Sequence, residues 1–348
     1  MTRPVSAGAV VAPPADTLGR PLRDLRISVV DRCNFRCPYC MPEDRYPEHH
    51  PFLDKHDRLS FEEIERLARA FAALGVRKLR LTGGEPLLRR ELPVLVGWLA
   101  RIPGIEDIAL TTNGVLLPKL AEPLRAAGLH RLTISVDTLD PDTYRRLSGG
   151  RGEVEQVLAA IAAAERAGFG PLKLNCVVMR GVNDGQVLDL VEHFRGSGHV
   201  LRFIEYMDVG TLNGWQADKV VPSAELIARI GERWPLEPLG RGYRGEVAER
   251  WRFVDGGGEI GFISSVSAPF CGDCTRARLS ADGKLFTCLF GRDGADLRGP
   301  LRAGIDDAAL LERIATLWRG RSDRYSERRA ELRAKGDPKH IEMFQIGG

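Results

Sequence analysis

A chain of 348 residues can bury a large core and, at the usual domain size, has room for two domains. Its 43% hydrophobic and 28% charged content is ordinary for a globular protein, and a net charge of +3 is too near neutral to imply nucleic-acid binding from bulk charge. No apolar run approaches the roughly 18 residues that a membrane helix needs, so neither nucleic acid nor a membrane is expected as a partner.

The chain opens MTRPVSAGAVVAPPADTLGRP, where the longest apolar run is broken by glycine and prolines and makes a poor signal-peptide core. We expect a flexible N-terminal tail over residues 1–21 and a cytoplasmic protein. In that reducing compartment seven cysteines read as metal ligands or buried thiols in place of disulfides.

From residue 22 to about 207, strand-like runs alternate with helical segments. The runs are LRDLRISVV, VRKLRLT, EDIALTT, RLTISVD, LKLNCVV and VLRFIEYM. Between the first two, SFEE at residues 60–63 forms a capping box that starts a helix, and Gly75 ends it. GEVEQVLAAIAAAERAG reads as another helix. Six strand–helix units imply parallel strands with right-handed crossovers. The expected fold is α/β, a partial (βα)6 TIM-type barrel over residues 22–230, with a flat doubly wound sheet as the alternative. Either way the functional groups belong at the C-terminal ends of the strands.

After about residue 230 the rhythm changes. ERWRFV and EIGFIS read as short strands, and RARLSADGKLFTC as a hairpin turning at Asp282-Gly283. A helix over about residues 306–318, a charged stretch and HIEMFQIGG follow. We expect a smaller C-terminal α+β domain over residues 231–348.

The loop after the first strand holds Cys33, Cys37 and Cys40 in CNFRCPYC. Three thiolates are one short of a closed tetrahedral zinc site. They suit an iron–sulfur cube with one iron left open to a small molecule. A second trio, Cys271, Cys274 and Cys288, lies in the C-terminal part, again with no obvious fourth ligand, while Cys176 sits inside a strand as a core residue. A two-residue turn pairs Ala277 with Cys288, bringing Cys288 back beside Cys274 but on the face opposite Arg276 and Arg278, so a bulge is expected there. A zinc-stabilised binding module remains the non-enzyme alternative. His49, His50 and His56 read as solvated loop residues.

Cations recur on the strands. Lys78 and Arg80 share a face with Thr82, and Arg26, Lys173, Arg202, Arg276 and Arg278 lie on other strands. Cations inside a barrel are costly unless paired, and a convergent set of them fits an anionic substrate such as a triphosphate.

CNFRCPYC after the first strand, with LTGGEPLL after the second, resembles the signature of the radical S-adenosylmethionine (SAM) superfamily. C-x-x-C-x13-C followed by TRARL after its second cysteine, with the terminal Gly347-Gly348, resembles the GTP 3′,8-cyclase family within it. That resemblance implies two [4Fe-4S] clusters on the two trios, and SAM held by the first near Tyr39, Gly84, Ser135 and Met207. It implies GTP held by Arg26, Arg80, Thr111, Lys173, Arg276 and Arg278, to which we add Lys78 and Arg202. The implied reaction takes a hydrogen from ribose C3′ and joins that carbon to guanine C8, the first step of molybdopterin biosynthesis. The implied partners are an electron donor such as flavodoxin or ferredoxin and the next enzyme of that pathway. The implied Gly-Gly tail enters the active site. Another radical SAM enzyme with an auxiliary cluster, such as a peptide-modifying maturase, is the rival reading. Oligomeric state stays open, a homodimer included.

Overall fold

The computed structural model describes residues 13–336 and 340–347; Gly348 and the first twelve residues of the expected tail lie outside the described residues. All six expected strands form: β1 (Asp24–Ser28), β2 (Lys78–Thr82), β3 (Asp107–Thr112), β4 (Arg131–Ser135), β5 (Lys173–Val178) and β6 (Val200–Glu205). They run parallel, each beside its predecessor. A doubly wound sheet would reverse its order partway, so this sequence of neighbours is that of a barrel. The ends of the sheet do not meet, which leaves the barrel open.

The C-terminal part adds β7 (Leu236–Gly240), β8 (Glu249–Phe253), β9 (Glu259–Ile263), β10 (Arg276–Leu279), β11 (Lys284–Phe286) and β12 (Ala295–Asp296). These strands do not form a separate sheet. Strand β10 pairs in parallel with β1, and β9 with β6, so residues after 230 extend both edges of the barrel sheet. The second cysteine trio is thereby carried on the same sheet as the first. Strands β7 and β12 were not legible in the sequence.

Helix Phe61–Ala73 shows how local sequence and packing agree. Ser60 accepts from the Glu63 N–H at 3.2 Å and Glu63 accepts from the Ser60 N–H at 2.8 Å, the expected capping box. Gly75, at φ +95°, ends the helix, and Val76 N–H closes back on the Phe71 carbonyl. Ile64, Leu67 and Phe71 point into the core, each burial stabilising the fold by about 1.5–3 kcal/mol. The helix over Asp307–Arg319 forms as expected, capped by Asp306.

Two expectations need correction. Residues 13–21 are not a loose tail. Asp16 folds them into a tight turn by accepting from the N–H groups of Leu18 and Arg20, each at 2.9 Å, and Arg20 is fully buried. The hairpin register is also off by one. The β10–β11 loop has three residues, with Ser280 paired to Lys284 and Gly283 at φ +81°. Arg278 therefore faces Phe286 and Leu279 faces Leu285. A left-handed third residue is the usual form of a bulged three-residue hairpin. It supplies the irregularity that the position of Cys288 requires.

Candidate active site

Two adjoining cavities occupy the barrel. The first is lined by Cys33, Cys37 and Cys40 together with Tyr39, Gly84, Ser135 and Met207. The second is lined by Cys271, Cys274 and Cys288 together with Arg26, Arg80, Thr111, Lys173, Arg276 and Arg278, and by Lys78 and Arg202. Thr111, Asn175, Ile204 and Met207 line both, so the cavities meet on the inner face of β3, β5 and β6. The structure thus gathers the expected site residues into one chamber with a cysteine trio at each end.

The first trio sits in a tight turn, with the N–H groups of Cys40 and Met41 both donating to the Cys37 carbonyl. Arg36, buried, holds that turn through the carbonyls of Cys33, Phe35 and Tyr46. The GGEP loop packs directly behind it. Gly84 N–H donates to the Val30 carbonyl at 2.8 Å and Glu85 N–H to the Arg32 carbonyl at 2.9 Å. A Cβ on Gly83 would fall 2.2 Å from Val30 O, and one on Gly84 2.3 Å from Arg32 O. The paired glycines are therefore required by the close approach of the cysteine loop itself.

Glu85 is buried and accepts from Leu87 N–H, Thr112 Oγ1 and Asn113 N–H at 2.7–3.0 Å. Burial still pushes its carboxyl up to about 7. Tyr39 donates its hydroxyl to Asp137 at 2.6 Å, and burial pushes the Asp137 carboxyl up to about 6. Burial, with Glu85 adding to it, raises the Cys33 thiol to about 12, and burial raises Cys37 and Cys40 as well. These thiols ionise only with a metal to take the charge.

Strand register explains the cationic chamber. Period two turns Arg26, Arg80 and Arg278 to one face, and parallel pairing sets Arg278 beside Arg26 and Arg26 beside Arg80. One and two strands further on, Thr111 of β3 and Thr133 of β4 accept from Arg80 at 2.9 and 3.1 Å. Arg202 donates to Asn175 at 2.7 Å. Burial and mutual repulsion bring Arg80 down to about 10, Arg202 and Arg278 to about 9, and Lys173 to about 7. Such crowded, desolvated cations favour an anion.

At the second trio burial raises the Cys274 thiol, but Arg276 and Arg321 outweigh it and bring it down to about 6. Burial and Asp323 raise Cys288 to about 12. Among the described residues no three His, Cys, Asp or Glu side chains converge on a single ion. Each trio offers three thiolates, one short of a closed structural zinc site, whereas a four-iron cube takes each thiolate on a different iron and leaves one iron open, so the donor sets fit clusters. At the tail, the Gly347 carbonyl accepts from Arg278 and the residue packs against Thr82.

Sequence reasoning missed Arg131, Asn175 and Asp137. Arg131 shares the face of Ser135, and Asn175 that of Lys173, so alternation alone could have found both. Asp137 lies just beyond β4 but ends the run RLTISVD at the parity of Arg131 and Ser135, so the same alternation reaches it.

The fold and the paired trios define an enzyme of the radical SAM class. Residues 27–194 match the Radical SAM superfamily, and residues 199–327 match Molybdenum Cofactor Synthesis C. The chain is 60% identical over 339 residues to the GTP 3′,8-cyclase of Xanthomonas axonopodis pv. citri (strain 306), covering 97% of this chain and all of that protein. It is 46% identical over 341 residues to the GTP 3′,8-cyclase of Staphylococcus haemolyticus (strain JCSC1435), with the same full coverage of the relative. This chain belongs to the GTP 3′,8-cyclase family. Among solved structures, Streptococcus suis SuiB bound to precursor peptide SuiA has a TM-score of 0.59 at 15% identity, over 86% of this chain and 64% of that longer one. That likeness concerns the fold. No helix among the described residues is long and apolar enough to cross a membrane.

Proposed function

We propose that this protein converts GTP to 3′,8-cyclo-7,8-dihydro-GTP, the opening step of molybdenum cofactor biosynthesis, with the nucleotide held in the cationic chamber between the two cysteine trios. The observation that carries this reading is the continuity of the two cavities: an anion-binding chamber opens onto the first trio through Thr111, Asn175, Ile204 and Met207. A neutral peptide would compensate this cluster of arginines and Lys173 less well than a triphosphate.

In this reading Cys33, Cys37 and Cys40 hold one [4Fe-4S] cluster and Cys271, Cys274 and Cys288 the other. When bound, the first cluster supplies the electron that cleaves SAM, and the second offers an open iron to the guanine. Gly84, Tyr39, Ser135 and Met207 orient SAM. The Tyr39–Asp137 hydrogen bond fixes the ring beside the last cysteine of the first trio.

Arg26, Arg80 and Arg278 neutralise the triphosphate side by side, with Thr111 steadying Arg80. Lys173 gains a proton as the anion arrives. Arg276 stands between the second trio and the phosphates, with Nη2 3.5 Å from the Cys274 sulfur. Gly347 closes the chamber against Arg278, which limits water at the reacting ribose. Each turnover consumes two electrons, one to cleave SAM and one, with a proton, to quench the cyclised nucleotide radical. Both come from a small reductant such as flavodoxin or ferredoxin, and the product passes to the next enzyme of the pathway in the cytoplasm.

The test is mass spectrometry of an anaerobic reaction containing GTP, SAM and a reductant. A product isomeric with GTP, formed with one 5′-deoxyadenosine per turnover, supports the reading. Untouched GTP in the presence of SAM cleavage overturns it.

A further inference from the structure

The turn over residues 13–22 has no part in the nucleotide-holding set, yet its Arg20 lines the same cavity and brings buried charge against the second trio. Arg20 is fully buried, Arg321 is 4% exposed and Asp16 is 7% exposed. Asp16 Oδ2 accepts from Arg20 Nε at 2.6 Å and from Arg321 Nη1 at 3.3 Å. Both guanidiniums then reach past Asp16 to the cysteine loop. Arg20 Nη1 donates to the Cys271 carbonyl at 2.8 Å, and Arg321 Nη1 to the Cys274 carbonyl at 2.7 Å.

The third cysteine is reached through a neighbour. Arg20 Nη1 also donates to the Asp323 carbonyl at 2.8 Å, and the Asp323 carboxylate accepts from Thr287, next to Cys288, at 2.5 Å. Trp318 locks the pair from behind: its Nε1 donates to the Arg20 carbonyl at 3.0 Å and its ring lies 4.6 Å under Arg321. One network therefore touches all three cysteine-bearing segments.

Two buried cations share one fully buried carboxylate, since Asp323 is partly exposed. Uncompensated buried charge is expensive, and the three thiolates add to the carboxylates of Asp24 and Asp323 as anions on the same cavity. Arg20 Nη2 is buried with no hydrogen-bond partner, and Arg20 lines the cavity that holds Cys271, Cys274 and Cys288.

We propose that Arg20 and Arg321, both anchored on Asp16, are positioning residues of the second cysteine trio that clamp its loop and supply positive charge behind its iron site. The inference rests on the reading that this trio holds an iron–sulfur cluster. Reduction adds a negative charge to such a cluster, so nearby cations and hydrogen bonds favour the reduced form and raise its potential.

The test is a redox titration followed by electron paramagnetic resonance, on the full chain purified anaerobically. Cys33→Ala, Cys37→Ala and Cys40→Ala are introduced together so that only the second site reports. Adding Arg20→Met should lower the ratio of reduced to oxidised cluster at a fixed potential at least tenfold, a midpoint about 59 mV lower for one electron, with altered g-values. Arg321→Lys, which keeps the charge, should shift it less. An unchanged midpoint and spectrum in Arg20→Met overturns the inference, because a purely structural brace would leave both in place. If Arg20→Met is insoluble, Arg321→Met is titrated in its place, and an unchanged midpoint and spectrum there overturns it equally. A parent chain that binds iron at the first trio but none at the second would instead overturn the cluster reading.

Discussion

The buried guanidinium of Arg278, on β10, donates to the backbone carbonyl of Gly347, four residues beyond the start of the last short helix, Met343–Ile346. A strand of the C-terminal part thereby holds Gly347 against Thr82 at the end of β2. Gly347 adopts φ +69°, and a Cβ there would lie 2.0 Å from Thr82 Cγ2. Glycine is required twice over, by backbone conformation and by space.

Gly347→Ala should therefore displace the tail. The left-handed backbone alone costs about 1–2 kcal/mol with a side chain, and the clash with Thr82 adds to it. The expected outcome is loss of GTP turnover while iron content and SAM cleavage persist. Iron analysis beside quantitation of 5′-deoxyadenosine and cyclised nucleotide checks this.

Gly84→Ala should act at the other end of the chamber. Its Cβ would meet Arg32 O at 2.3 Å, and both atoms belong to backbones that are hydrogen-bonded in place. Overpacking of this kind costs roughly 1–3 kcal/mol. The first trio should lose its iron while the second keeps its own, so iron per chain should fall by about half. Full iron with normal SAM cleavage would contradict the packing argument.

The two trios should separate by substitution. Cys33→Ala, Cys37→Ala or Cys40→Ala should abolish SAM cleavage. Cys288→Ala should spare much of it and weaken GTP binding by at least ~10-fold, the scale of one good polar contact. Anaerobic assays of 5′-deoxyadenosine with equilibrium GTP binding measure both. Equal loss of SAM cleavage from both sets would contradict their separate roles.

Binding of GTP should take up a proton near neutral pH. Burial, with Arg202, Arg131 and Arg80, brings free Lys173 down to about 7. A triphosphate beside it favours the charged form and raises that value in the complex. A group raised on binding contributes fully below its free pKa and loses its contribution as pH rises through the bound one. Affinity should hold steady below about pH 7 and fall above it. Calorimetry in buffers of different ionisation enthalpy should register the proton uptake, and Lys173→Met should remove it.

Much of this protein was fixed by order along the chain. Six runs of alternating or continuous apolar residues gave β1 to β6, and Ser60 with Glu63 gave a helix start to the residue. The cysteine spacings marked both ends of the chamber, because ligand chemistry restricts residue type and short loops restrict distance. Alternation turned Lys78, Arg80 and Thr82 to one face. Contacts between distant segments left no such local mark. The charged stretch after residue 320 became helix Tyr325–Ala334, with Arg329 buried against Asp208 at 2.8 Å. The presumed tail became the Asp16–Arg20 turn behind the second trio.

The sequence by itself determined the strand–helix rhythm, the cation faces and the thiolate trios, because each follows from local periodicity or ligand spacing. Only the tertiary structure decided that β10 and β9 extend the two edges of the barrel sheet, that Arg278, Arg26 and Arg80 stand in adjacent register, and that Arg20 supports Cys271 while Asp16 anchors the Arg321 that supports Cys274. These are pairings across some 50 to 300 positions of chain. They are selected by the burial and hydrogen bonding of the whole fold, which no short window of residues contains.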